Sequence, residues 1–321
     1  MRTPSVVTVE EHYWDDELVA AQGTGSAYPE HWRRKLGEIG EGRIAELDRA
    51  GIDVQIISHA PPGPQTLEAK LAVPFSRAVN DRLHGAIGRY PDRFEALAVL
   101  PTAEPEAAAD ELERCVRDLR FKGAAIFGLS RGEFIDLRKY WPIFGRAEAL
   151  GVPIYLHPAK PQEDVARIHY GAYGQTHPTI MNAGWAFTVE TATQAVRLIL
   201  SGLFEEHPRL TFILGHLGEG LPFLLWRIDE SFRRAGNRPS DFAQTFRRNF
   251  YISTSGFFSD RALAYCVEEM GSDRILFAVD WPFADNESSA DWLRQTALPD
   301  VVKTKILGRN AVDLFKLGGA G

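Results

Sequence analysis

The chain has 321 residues, 45% of them hydrophobic, and a formal net charge of −7. That length and apolar share suffice for a large buried core. The charges are spread along helix-like stretches with no basic stripe, which argues against nucleic acid as a partner, and no apolar run reaches the roughly 18–20 residues that span a bilayer.

Short apolar runs punctuate the sequence. In chain order they are 6-VVTVEEH-12, 53-DVQIISH-59, 94-FEALAVLP-101, 122-KGAAIFG-128, 152-VPIYLHP-158, 210-LTFILGHLG-218, 249-NFYISTSG-256 and 274-RILFAVDWP-282. They are rich in Val, Ile, Leu and Phe and alternate little, as strands covered on both faces of a parallel sheet do. Helix-period segments lie between them. Residues 41–51 place Ile44, Leu47 and Ala50 on one side and stop at Gly51. Residues 106–119 place Ala109, Leu112, Cys115, Val116 and Leu119 on one stripe, and 138–150, 186–206, 259–271 and 299–317 repeat the period. Eight strands alternating with helices predict an α/β fold, a (β/α)8 TIM barrel, as a single domain over 1–321. No GxGxxG follows the first strand, which weighs against a doubly wound open sheet.

Two stretches break the repeat. Residues 13–40, with Trp14, Tyr28 and Trp32, follow the first strand, and residues 159–185, rich in Pro, Gly, His and Tyr, follow the fifth. As insertions after strands 1 and 5 they are expected on the catalytic face, as walls or lids of a pocket. Cys115 and Cys266 show no CxxC or Cys/His spacing and are expected to be buried, reduced thiols. With no basic region followed by an apolar run at the start, a cytoplasmic protein is expected.

The chemistry gathers where the apolar runs end. Burying an unpaired charge costs several kcal/mol, so such strands have little reason to finish in acids and imidazoles without a partner. The first run ends in Glu10-Glu11-His12, and period-two alternation puts Glu10 and His12 on one side with Glu11 on the other. The fifth ends in His157, the sixth in His216 and the eighth in Asp280. In a barrel these ends meet at one rim. Glu10, His12, His157 and Asp280 are the candidate metal ligands, and either Zn2+ or Mn2+ accepts such nitrogen and oxygen donors. His216 is the candidate proton carrier, with Glu219 within reach if a helix starts there. His59 ends the second run and is a candidate substrate contact. His31, His84, His169, His177 and His207 are expected in loops or on the surface.

These residues and their surroundings resemble the metal-dependent decarboxylase branch of the amidohydrolase superfamily. The resemblance is carried by 9-VEEH-12, 153-PIYLHP-158, 189-VETATQAVRLILSGLFEEHPRL-210, 214-LGHLGEGLPF-223, 251-YISTSG-256 and 279-VDWPF-283. It implies non-oxidative decarboxylation of a hydroxylated aromatic or vinylogous acid by a homodimer or homotetramer. It implies a metal that chelates the substrate on Glu10, His12, His157 and Asp280, with Asp280 protonating the ring carbon and His216 and Glu219 in acid/base roles. It also implies a substrate contact for Arg227, within its own chain or across a subunit interface. Trp281 and Phe283 are expected to wall the ring. The chain departs from the resorcylate-type pattern at Phe127, where those enzymes carry an asparagine, and at His59, where an asparagine often stands. A phenylalanine cannot hydrogen-bond a ring substituent, so these departures predict a substrate other than γ-resorcylate itself. The rival reading on the same scaffold is a metal-dependent hydrolase or hydratase acting on a lactone, amide or unsaturated acid.

Overall fold

A computed structural model describes residues 4–23, 28–236 and 241–318. The strands are Val7–Tyr13, Val54–His59, a third in two pieces (Phe94–Ala96 and Ala98–Val99), Ala124–Phe127, Ile154–His157, Phe212–Leu214, Phe250–Ser253 and Ile275–Leu276. Every paired neighbour is parallel and follows chain order. The third strand changes partner at Leu97. Leu97 N–H donates to Ile57 O at 2.9 Å, and Ala98 N–H donates to Gly123 O at 2.9 Å.

The ring closes between the last strand and the first. Ladder pairing of the eighth strand stops at Leu276, and the seam beyond it is built from single bonds. Asp280 N–H donates to Glu10 O at 3.1 Å, and His12 N–H donates to Trp281 O at 2.7 Å. This differs from the sequence expectation, in which strands six and eight run through His216 and Asp280. Both residues instead have positive φ, +50° and +72°. A side chain there costs roughly 1–2 kcal/mol, so both positions turn out of strand geometry only because the surroundings hold them.

The helices bury most of the predicted stripes, with Ile44, Val116 and Leu119 half-buried and Leu119 past the end of its helix. Pro105–Arg117 buries Ala108, Ala109, Leu112 and Cys115, and Asp260–Met270 is capped by the Ser259 side chain, which accepts from Ala262 N–H. Helices the period reading left out, including Ala69–Ile87 and Leu221–Ala235, fill further crossover positions. Phe212 and Phe250, register partners on strands six and seven, stack at 5.5 Å. Phe246 of the helix Phe242–Asn249 stacks on Phe250 at 4.8 Å and ties the outer layer to the sheet. Each such ring contributes about 1.5–3 kcal/mol by leaving water. No helix among the described residues is long and apolar enough to cross a membrane, and both cysteines are free and buried.

Candidate metal centre

The first strand carries a bulge between Thr8 and Glu11, so Glu10 lies within it. The side chains from Glu10 to His12 still alternate. Glu10 and His12 face the barrel's interior, and Glu11 faces the outer layer. One donor atom each from Glu10, His12, His157 and Asp280 falls within 4.8 Å of the others. Glu10 Oε1 lies 3.2 Å from His157 Nε2, and His12 Nε2 lies 3.2 Å from Asp280 Oδ1. Glu10, His12 and His157 are buried; the Asp280 side chain keeps 19% of its surface exposed.

Each imidazole is gripped by its Nδ1. That of His157 donates to Pro158 O at 2.7 Å, that of His216 to Glu219 Oε1 at 2.7 Å, and that of His12 lies 3.4 Å from Ser58 Oγ. In His12 and His157 the lone pair of Nε2 is thereby turned inward, as a metal ligand requires. Glu10 is held through its other oxygen. Tyr155 Oη donates to Glu10 Oε2, and Ser253 Oγ donates to the same oxygen at 3.3 Å. Glu10 Oε1 and His12 Nε2 are buried without a hydrogen-bond partner. Buried acceptors left open in this way cost free energy unless something electropositive meets them, so the donor set fits a divalent cation.

Charge follows the same geometry. Burial alone would raise the Glu10 pKa, but the imidazoles of His216, His157 and His12 outweigh it and hold this carboxyl well below the usual range. Burial would lower His216; Glu219 and Glu10 prevail and push it up to about 10. His216 Nε2 stands 4.0 Å from Glu10 Oε1. The sequence placed Glu219 by supposing that a helix starts at His216. The observed path is a left-handed turn, with Leu217 at φ 53° and Gly218 at φ 77°, ahead of the helix Leu221–Ala235. Gly215 is needed for close approach: a Cβ there would sit 2.7 Å from Glu10 Oε2.

The wall residues divide. Phe283 lies 5.8 Å from the His12 ring, and Tyr28 and Trp32 pack on Phe283 at 5.7 and 5.2 Å. Phe127 flanks His157 at 5.4 Å. Trp281 takes a different place from the expected pocket wall. It is buried on the outer side, its indole N–H donates to Glu46 Oε2 at 2.8 Å, and the Arg43 guanidinium lies 3.9 Å over its ring. His59 also has its polar atoms occupied, unlike a substrate contact at the rim. Its Nδ1 donates to Ala60 O at 2.5 Å, and its Nε2 accepts from Asp15 N–H at 2.9 Å. Burial pulls its pKa down to about 4. Arg227 is exposed on its helix, beside Phe223 and Trp226, which are 75% and 70% exposed. Within 13–40, residues 24–27 lie outside the described residues. In 159–185, Ile168, Tyr173 and Trp185 are exposed. A separate cleft of about 550 Å³, bordered by Pro4, Asp53, Arg93 and Leu317, contains none of the candidate site residues.

Sequence reasoning missed Tyr155 and Ser253. Tyr155 had a legible signal: it stands two residues before His157, on the same face of a strand otherwise aliphatic there.

A parallel α/β barrel with a carboxylate–imidazole cluster at the carboxyl ends of its strands is the plan of a metal-dependent barrel enzyme. The amidohydrolase family model matches residues 7–317, and the chain belongs to that family. It is 40% identical over 329 residues to a γ-resorcylate decarboxylase of a Rhizobium species, covering 98% of this chain and 99% of that one. A 2,6-dihydroxybenzoate decarboxylase solved with 2,6-dihydroxybenzoate superposes with a TM-score of 0.90 at 39% identity, covering 99% of this chain and 100% of that one. A dihydroxybenzoic acid decarboxylase from Polaromonas, solved with bound manganese and the inhibitor 2-nitroresorcinol, gives a TM-score of 0.90 at 37% identity, over 100% and 98%.

Proposed function

We propose that this chain is a metal-dependent carboxy-lyase that removes carbon dioxide from hydroxylated benzoic acids of the dihydroxybenzoate type. The observation that carries the reading is the meeting of Glu10, His12, His157 and Asp280 within 4.8 Å, beside a hydrogen-bonded His216–Glu219 pair. Whole-length similarity to dihydroxybenzoate decarboxylases sets the substrate class.

Glu10, His12, His157 and Asp280 would hold the cation, and manganese is the first choice because the Polaromonas enzyme carries it and two carboxylates suit it. When bound, such an ion would draw electron density from a substrate carboxylate and an ortho hydroxyl placed beside it. Asp280 is the only partly open member of the cluster, so it faces the substrate. Its carboxyl gives a proton to the ring carbon bearing the carboxylate. That carbon becomes tetrahedral, the carbon–carbon bond breaks, and its electron pair returns to the ring as carbon dioxide leaves. His216, steadied by Glu219, restores the proton to Asp280. Phe283, with Tyr28 and Trp32 behind it, supplies an apolar wall for the ring, which is the role we assign to the insertion after strand 1; the one after strand 5 is its counterpart across the mouth.

The chain acts as one barrel domain, in a reducing compartment such as the cytoplasm that keeps its two buried thiols free. The exposed Phe223 and Trp226 beside Arg227 suit a homodimer or homotetramer contact. The deciding experiment is a panel of mono- and dihydroxybenzoates incubated with manganese-loaded protein, with carbon dioxide followed by mass spectrometry. Carbon dioxide release abolished by chelator supports the reading. Water incorporation into a lactone or unsaturated acid without gas replaces it with the hydrolase or hydratase reading.

A further inference from the structure

Glu11 points away from the cluster, yet it is fully buried and its carboxylate grips the facing segment across the barrel seam. Glu11 Oε1 accepts from Val279 N–H at 2.9 Å, and Glu11 Oε2 accepts from Trp281 N–H at 3.2 Å. The residue between those amides is Asp280, whose own N–H donates to Glu10 O at 3.1 Å. Three successive amides of the eighth-strand segment are therefore tied to two successive residues of the first strand. They are tied where ladder pairing has ended and where Asp280 is held at φ +72°.

The carboxylate is itself braced. Gln55 Nε2 donates to Glu11 Oε2 at 3.4 Å, and Arg43 Nε donates to Gln55 Oε1 at 2.8 Å. Arg43 Nη1 donates to His12 O at 2.8 Å, and its guanidinium covers Trp281. A buried acid and base of this kind contribute little net stability compared with an apolar pair of the same size. Their geometry does something an apolar pair cannot: it specifies where a strained backbone turn sits relative to the first strand.

We propose that Glu11 is a positioning residue for Asp280. By clamping the amides on both sides it sets the direction of the Asp280 carboxylate toward His12 Nε2, 3.2 Å away. Glu10 and His12 face the site while Glu11, between them, anchors the fourth ligand from behind. One three-residue segment thus assembles most of the centre. The kinetic part of this inference rests on the decarboxylase reading; the spectroscopic part does not.

The test compares wild type, Glu11→Gln and Glu11→Asp, each purified as full chain and loaded with Mn2+. Glutamine keeps the length but offers one acceptor oxygen and sets an NH2 against the other amide. Aspartate keeps the charge opposite Arg43 but is too short to span both amides. The readouts are the Mn2+ electron paramagnetic resonance spectrum, thermal unfolding, and kcat and KM. Both variants are expected to fold, to show an altered manganese spectrum, and to lose about 10–100-fold in kcat with KM changed less than about threefold. A folded variant with the wild-type spectrum and wild-type kcat overturns the proposal, even if its melting temperature falls. If neither variant folds, the residue is structural and the proposal is likewise overturned. If wild type releases no carbon dioxide from any hydroxybenzoate, the decarboxylase reading fails, while the spectra still decide the role of Glu11.

Discussion

Replacing Tyr155 by phenylalanine removes one oxygen atom from the least accessible part of the site. Tyr155 is buried, and its hydroxyl bridges Glu10 Oε2 and Ser253 Oγ, the latter at 2.9 Å. In the variant Glu10 Oε2 keeps only Ser253, at 3.3 Å. A hydrogen bond to a charged group is worth about 1.5–3 kcal/mol, and each 1.4 kcal/mol is about tenfold in affinity. The Glu10 carboxylate is then free to rotate Oε1 away from the cluster. Manganese affinity is expected to fall about 10–100-fold, the range typical of lost outer partners of a ligand. Strand packing is unchanged, so the fold should survive with a loss of no more than about 1–3 kcal/mol. Chelator-competition titration of the purified protein measures the affinity, and circular dichroism checks the fold. A manganese Kd within about twofold of wild type would refute the idea that the tyrosine orients Glu10.

His157→Ala is expected to lose metal and turnover together, because His157 Nε2 is one of the clustered donors; atomic absorption of the dialysed protein checks it. His216→Asn should retain the metal yet lose about 10²–10⁴-fold in kcat, and metal loss equal to that of His157→Ala would remove His216 from its proton-carrying role. His59 is neutral in the fold, with a pKa of about 4 against an ordinary 6.5. Below pH 6.5 the unfolded chain therefore binds more protons, and stability falls toward pH 4, by about 2 kcal/mol at pH 5 at 1.36 kcal/mol per pH unit. In urea titrations at pH 7 and 5, His59→Gln should be weaker at pH 7 but lose about 2 kcal/mol less than wild type between the two; equal losses would mean that His59 is not kept neutral.

The sequence by itself determined the architecture and the chemical type of the site. Apolar runs such as 53-DVQIISH-59 and 152-VPIYLHP-158 can be buried on both faces only within a layered α/β fold. Within the first strand, period two was enough to send Glu10 and His12 one way and Glu11 the other. What lay past the strand ends was decided elsewhere. Asp280, His216 and Glu219 sit on left-handed turns, where no period relates sequence spacing to direction. The inward reading of Trp281 failed for this reason: the same turn that delivers Asp280 sends the next side chain out to Arg43 and Glu46. His59 does lie on a strand, but the loop after the first strand folds back to occupy its Nε2, a contact between residues 44 positions apart. Tyr155 meets Glu10 across 145 residues. Composition and spacing state which groups arrive at the rim. Only the closed ring of strands sets the distances between them, because a ligand field depends on ångström separations that a one-dimensional order does not encode.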